Sequence, residues 1–211
     1  MDVVQQFEKI RAQSLDGKQA LHKPLLLLIA LARCASGEER LAPFPFYDEM
    51  LLVLFADFYP EGLKNRNTHY PFGKLENDGV WHVVGSAQLK RTGAGHLHKS
   101  ELINNNVKGG FTEQVWTQLS SHQRLIISVV SRILYRFFSQ ENHAYLLKQS
   151  GFPEAFITYF YSSGNAGQNG CAEEKAALVH VEKTGEGGRM KENPFIAYLN
   201  SLHNVGAAGA N

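Results

Sequence analysis

From Pro24 to Cys34 the chain reads Pro-Leu-Leu-Leu-Leu-Ile-Ala-Leu-Ala-Arg-Cys, and this run constrains the fold more than any other feature. It is too short to cross a bilayer. Because apolar side chains lie on every face, the run predicts a helix that the rest of a domain encloses. Pro24 suits the first helical position, where its missing N–H costs nothing. The N-terminal end is then the part of this helix that stays exposed.

Most of the remaining patterned segments also predict helices. Apolar residues follow helical spacing through a long segment that a capping box of Ser120 and Gln123 opens and that ends near Phe138. Further helices are predicted at 2–13, at 48–58 with Asp48 and Glu49 in the first turn, at 100–105, at 112–119 behind a Thr112 cap, at 141–149 and at 153–161. Extended segments are predicted at 41–46 and 80–84, a helical turn at 86–89 and a turn at Gly109-Gly110. We therefore predict a mainly α fold, a compact helical domain with a small antiparallel β-hairpin around Trp81 and long basic loops.

Composition bounds the domain organisation. With 44% hydrophobic and 19% charged residues among 211, the chain is able to bury one good core. That domain is predicted to span 1–163, with a flexible linker over 164–192 and the start of a further module or a disordered tail over 193–211. We expect the chain to be a fragment of a longer protein.

Cysteine usage and the opening residues indicate the compartment. Cys34 and Cys171 are the only cysteines, so neither a disulfide framework nor a thiolate zinc site is predicted. Residues 1–13 are polar and amphipathic and lack the apolar centre of a signal peptide. We therefore expect a cytoplasmic protein with no membrane segment, no metal and no cofactor.

The stretch from Thr68 to Trp81 mixes residue types that neither a helix nor a plain linker needs. Pro71 fixes its own φ and favours an extended Tyr70, so Tyr70, Pro71 and Phe72 are predicted to present an apolar edge from a stiff, non-helical backbone. Asn77, Asp78 and Gly79 then form a turn. The alternative is a loop whose Tyr and Phe side chains simply enter the core.

Positive charge is concentrated in the middle of the chain. Residues 64–108 contain seven Lys and Arg against three Asp and Glu, whereas the whole chain has a formal charge of only +1. The segment Lys90–Lys99 is predicted to be a mobile basic arm. Upstream, His22 and Lys23 lie at the N-terminal end of the apolar helix, where the helix dipole and free N–H groups favour a phosphate. Capping and solvation are the alternative role of these two residues.

These motifs, in this order, resemble a known family. His22-Lys23-Pro24 with the leucine run, followed about fifty residues later by Tyr70-Pro71-Phe72, Leu75, Asn77-Asp78-Gly79 and Trp81, resembles the sulfur-binding domain of phosphorothioate-dependent (type IV, McrA-like) restriction endonucleases. The resemblance covers roughly Gln6 to Phe160. It implies a mainly helical fold and binding of double-stranded DNA in which sulfur replaces one non-bridging phosphate oxygen. It also implies a separate nuclease domain or partner subunit, often of the His-Asn-His type, that cuts nearby.

Carried over by motif position, the resemblance implies that His22 and Lys23 hold the modified backbone and that Tyr70 and Pro71 line the sulfur cavity. Gly73, where many members are bulkier, and Lys74, which adds a charge, depart from the common pattern. Lys23, Lys74, Arg91 and Lys99 are candidates for phosphate contacts, and the arm is the candidate for reading base edges. The complete predicted DNA- and sulfur-binding set is His22, Lys23, Thr68, His69, Tyr70, Pro71, Phe72, Gly73, Lys74, Arg91, His96, His98 and Lys99.

Two other function classes stay open at the level of sequence. Catalysis within the chain is disfavoured because His96 and His98 lie two apart, and because they lack the Cys-x-x-Cys or other context of a metal-binding nuclease finger. A protein-interaction module is the second alternative, in which exposed aromatics dock a partner chain and the basic arm an acidic one. The sequence does not fix the oligomeric state.

Overall fold

The computed structural model describes residues 3–10, 14–15, 18–58 and 67–162, with backbone alone at 14–15 and 18–19. Within these residues the helices are α1 (Val3–Glu8), α2 (His22–Ala35), α3 (Phe44–Phe58), α4 (His69–Lys74), α5 (Lys99–Asn104), α6 (Glu113–Ser121), α7 (Gln123–Phe137), α8 (His143–Gln149) and α9 (Glu154–Ser162). Short 3₁₀ helices span Leu75–Asp78, Ser86–Gln88 and Gln140–Asn142. The strands are β1 (Ser14–Leu15), β2 (Lys18–Gln19), β3 (Leu41–Pro43), β4 (Trp81–Val83) and β5 (Lys108–Phe111). The mainly α prediction is confirmed.

Helix α2 lies at the centre of the domain, as the apolar run predicts. Every residue from Pro24 to Ala32 is buried, and the helix packs against α3, α4, α6 and α7. It begins at His22, two residues earlier than predicted, so Pro24 is the third helical residue. Its missing N–H still costs nothing there, because the first four N–H groups of a helix have no intrahelical partner.

The small sheet has a different topology from the predicted hairpin. Its strand order is β3-β5-β4, all antiparallel, so β4 pairs with β5 across a long intervening segment, and β5 also pairs with β3. Gly109 and Gly110, predicted as a turn, therefore lie in the central strand. Gly110 is paired with both Leu41 and His82. A Cβ on Gly110 would collide with the carbonyl oxygen of Arg40, so this strand position requires glycine.

Several helix boundaries also differ from prediction. Helix α3 begins at Phe44 rather than Asp48, with Pro45 in its first turn and without acidic residues there. Helix α1 ends at Glu8, short of the predicted Gln13. The Thr112 cap is confirmed, because its hydroxyl accepts from the N–H of Val115. The predicted capping box is wrong: Ser120 belongs to α6, and His122 precedes α7 without a side-chain cap.

Some sequence-based predictions fall outside the described residues. The linker at 164–192, the segment 193–211, Cys171, Lys64 and Arg66 all lie there. The domain boundary at 163 stays a prediction. Cys34 is buried and unbonded, and burial raises the pKa of its thiol to about 12. Within the described ranges, no helix is both long enough and apolar enough to cross a membrane.

Candidate nucleic-acid interface

The stretch around Pro71 is helical, and the prediction of an extended backbone is wrong. Pro71 is the third residue of α4, where a proline sacrifices no helical hydrogen bond. The 3₁₀ helix Leu75–Asp78 follows directly and ends at Gly79, whose φ of 75° makes the predicted turn.

The helical backbone sends neighbouring side chains of α4 in different directions. Tyr70 remains 37% exposed, whereas Pro71 and Gly73 are buried. Phe72 is fully buried and packs edge-on against Phe44 and Trp81. The alternative of entry into the core is therefore correct for Phe72, and Tyr70 is the exposed aromatic of the predicted edge.

Tyr70 lies between two imidazoles. The ring of His96 stacks on it with centroids 3.9 Å apart and planes at 13°, and the ring of His69 meets it edge-on at 4.6 Å. Burial, with a contribution from Lys99, lowers the pKa of His69 to about 4. Burial and the Lys74 charge also lower the pKa of His96. Both rings are therefore neutral at neutral pH, and the three rings form a polarizable surface without formal charge.

The segment predicted as a basic arm folds as a tight hairpin against α4. Arg91 and Leu97 form a β-bridge, and the N–H of Thr92 donates to the carbonyl of His96 at 2.8 Å. Leu97 is buried beside Gly73, where an added Cβ would lie 3.1 Å from Leu97 Cδ1. His98, which is exposed, immediately precedes α5. Mobility of this segment without DNA stays a prediction.

Three of the predicted phosphate-contacting cations are already paired with carboxylates. Lys23 Nζ lies 2.6 Å from Asp78 Oδ2, Lys99 Nζ lies 2.7 Å from Asp48 Oδ1, and Arg91 Nη2 lies 3.3 Å from Glu76 Oε2. The hydroxyl of Thr68, which is fully buried, donates to the same Asp48 oxygen. Thr68 therefore anchors the start of α4 to α3 and Lys99 anchors the start of α5 to the same place.

The remaining predicted cations behave differently from one another. His22 is the first residue of α2, its ring meets Phe55 edge-on at 4.7 Å, and burial lowers its pKa to about 4. Lys23 therefore carries the positive charge at this helix end. Lys74 has no carboxylate partner among the described residues, and its Nζ lies near Gly95 of the hairpin. Unlike Lys23, Arg91 and Lys99, it therefore has a charge that no carboxylate of the described residues neutralises.

These contacts join the predicted site residues into one region. Helix α2 packs on α4, the Tyr70–His96 stack joins α4 to the hairpin, and Asp48 joins α4 to α5. Sequence reasoning missed the carboxylates Asp48, Glu76 and Asp78, because each meets its partner only through the tertiary fold. Within the described residues there is no group of three or more His, Cys, Asp or Glu side chains able to hold a metal ion.

The chain is similar to known DNA sulfur-binding domains in sequence and in fold. Residues 1–155 match the family model described as "ScoMcrA-like, DNA sulfur-binding domain". The sulfur-binding domain of ScoMcrA, solved with phosphorothioated DNA, is 23% identical, with a TM-score of 0.65 over 72% of this chain and 96% of that one. The sulfur-binding domain of SprMcrA, also solved with phosphorothioated DNA, is 22% identical, with a TM-score of 0.57 over 70% and 91%.

A third solved structure is a longer enzyme, of which this chain matches only a part. The type IV phosphorothioation-dependent restriction endonuclease ScoMcrA is 23% identical over 72% of this chain, with a TM-score of 0.64, and the match covers 32% of that protein. No curated protein sequence matches this chain. At these identities the solved structures show the shared fold, and the family match confirms the resemblance noted from the motifs.

Proposed function

Because this chain belongs to the ScoMcrA-like DNA sulfur-binding domain family, we propose that it binds double-stranded DNA carrying phosphorothioate linkages. The observation that carries the proposal is the exposed Tyr70 ring, flanked by neutral imidazoles, on a helix that also carries Lys74 and packs against α2. In a longer protein, this domain would direct a restriction or other defence activity to modified DNA. Any cleavage would then belong to a separate nuclease domain or partner subunit.

The proposed sulfur contact is formed by the exposed Tyr70 ring together with the neighbouring Pro71, which is buried in the free protein. Sulfur is larger and more polarizable than oxygen and holds its hydration shell less tightly, so it loses less when an apolar surface dehydrates it. A phosphate oxygen against the same surface would forfeit hydrogen bonds, and an unmet polar group costs about 1 to 3 kcal/mol. This penalty corresponds to a preference for the modified duplex of roughly tenfold to a hundredfold.

Affinity for the backbone requires charge in addition to the sulfur contact. Lys74 supplies a charge with no carboxylate partner in the described part of the chain, and Lys23 supplies one at the N-terminal end of α2, where the helix dipole adds to it. The hairpin at 90–98 packs against α4 through the stack of His96 on Tyr70 and is the proposed reader of base edges. His96, whose ring is neutral at neutral pH, and His98, whose side chain is exposed, are the proposed histidine contacts of this hairpin.

The direct test is a binding titration of one short duplex with and without a single stereodefined phosphorothioate, repeated at several salt concentrations. We expect tighter binding of the modified duplex by roughly tenfold to a hundredfold and a linear fall of log affinity with log salt. Equal affinity for the two duplexes would refute the proposal. A partner-protein contact that is mainly apolar would instead respond little to salt.

A further inference from the structure

The acidic partners of the site cations lie close together in the fold. Asp78 and Glu76 both belong to the 3₁₀ helix that directly follows α4, and they hold Lys23 of α2 and Arg91 of the hairpin. The Lys23–Asp78 pair is the better shielded of the two, since the side chains are only 20% and 12% exposed. In the free protein, two cations of the predicted binding set therefore face internal carboxylates.

A DNA phosphate has to compete with these carboxylates. Lys23 gains a phosphate contact only by giving up or sharing an Asp78 oxygen 2.6 Å away, so the net gain from contacting DNA is reduced. A phosphate on a loosely bound, unmodified duplex samples many positions and competes poorly. When sulfur is seated beside Tyr70, the neighbouring phosphate is held near Lys23 at a high effective concentration, and the exchange becomes favourable.

We propose that Asp78, and with it Glu76, determines specificity by acting as an internal counter-ion that withholds Lys23 and Arg91 from unmodified DNA. This inference rests on the proposed function of phosphorothioate binding. The carboxylates weaken binding to plain duplex more than binding to modified duplex, because only the modified duplex fixes a phosphate in place. Asp78 acts through Lys23 and does not itself touch the DNA.

The test is Asp78→Asn, measured against modified and plain duplexes. We expect plain-duplex affinity to rise by about two- to tenfold, with a salt slope steeper by roughly 0.9, and modified-duplex affinity to rise less. Glu154→Gln is the matched control, because it removes one negative charge at an exposed position of α9, which packs on α8. The control corrects for the change in net charge.

A double-mutant cycle separates the proposed role from a structural one. In a Lys23→Ala background, Asp78→Asn should change plain-duplex affinity no more than the Glu154→Gln control does. If Asp78→Asn does not fold, Glu76→Gln provides a second, independent variant. It should raise plain-duplex affinity in the same way, because it releases Arg91.

The outcomes distinguish this inference from the proposed function. If wild-type protein prefers the modified duplex but Asp78→Asn raises both affinities equally, or lowers the affinity for modified duplex, the counter-ion role is overturned and the proposed function stands. If wild-type protein shows no preference, the proposed function fails and the inference fails with it. If Asp78→Asn reduces the preference for modified over plain duplex, and does so only when Lys23 is present, both the counter-ion role and the proposed function are supported.

Discussion

Gly109→Ala tests whether the central strand and the Tyr70 helix are packed as tightly as described. An added Cβ at Gly109 would lie 2.5 Å from Phe72 Cζ, 2.9 Å from Phe72 Cε2 and 3.2 Å from the carbonyl oxygen of His82. Ordinary Cβ contacts begin at about 3.4 Å, so the ring has to move by about 1 Å. Phe72 is fully buried between Phe44, Tyr47 and Trp81 and has no exposed side to move toward.

The magnitude follows from overpacking of a filled core. Forcing a methyl group into such a core costs about 1 to 3 kcal/mol of unfolding free energy. For a domain of this size, each kcal/mol lowers Tm by roughly 2 to 4 °C, so the expected fall is about 2 to 12 °C. Gly93→Ala is the matched control: no atom lies within 4 Å of its added Cβ, and we expect a change within about 0.5 kcal/mol.

Urea unfolding followed by circular dichroism measures the effect, and Phe72→Leu provides the decisive comparison. The smaller side chain makes room for the new methyl group, so the double variant Phe72→Leu/Gly109→Ala should be less destabilised than the sum of the two single variants. Additive losses, or a Gly109→Ala protein as stable as the Gly93→Ala control, would show that Phe72 and Gly109 are not in contact.

Three further predictions concern the site. Lys23→Ala should make the salt slope for modified duplex shallower by about 0.9, and an unchanged slope would remove Lys23 from the interface. Pro71→Ser should weaken binding of modified duplex by about 1 to 2 kcal/mol and leave plain duplex unchanged, whereas equal losses on both would indicate a misfolded α4. In the folded protein the pKa values of His22 and His69 are lowered from 6.5 to about 4, so below pH 6.5 the unfolded chain binds more protons than the folded protein does. Tm should therefore fall as the pH drops from 6.5 to 5, and His69→Asn should reduce this dependence; an equal fall in the variant would exclude His69 as a cause.

Local pattern was sufficient to predict the elements whose burial their own residues dictate. The all-apolar run predicted α2, and the spacing of Ile126, Val130 and Ile133 predicted the buried face of α7. The Thr112 cap was predictable because the Thr112 hydroxyl and the Val115 N–H that donates to it are only three residues apart. The motif order gave the family, since it combines several such local signals.

The prolines misled the sequence-based prediction for one physical reason. Proline disfavours helix at the preceding residue, and Pro45 and Pro71 were therefore assigned to extended segments. In the structure each lies in the first turn of a helix, where no N–H bond is lost. That helical start also turned Phe72 into the core and left Tyr70 as the exposed ring.

Long-range pairing explains the other errors. Gly109 and Gly110 have a local composition typical of a turn, and their strand conformation depends on β3 and β4, which are distant in sequence. The Lys23–Asp78 pair spans 55 residues and the Lys99–Asp48 pair spans 51. No short pattern indicates which carboxylate will meet which cation, so the charge balance of the site became visible only in the fold.

The burial of α2 has a consequence for how the site moves. Since Leu25, Leu28 and Leu31 are fully buried, their amides should exchange with solvent only when the whole domain opens. Lys23 lies two residues before Leu25 on the same continuous helix. Its backbone therefore continues directly into the protected part of α2, and in the proposed exchange it is the side chain that moves from Asp78 to a phosphate. The proposed exchange at this end of the helix is therefore a side-chain rearrangement that requires no movement of the α2 backbone.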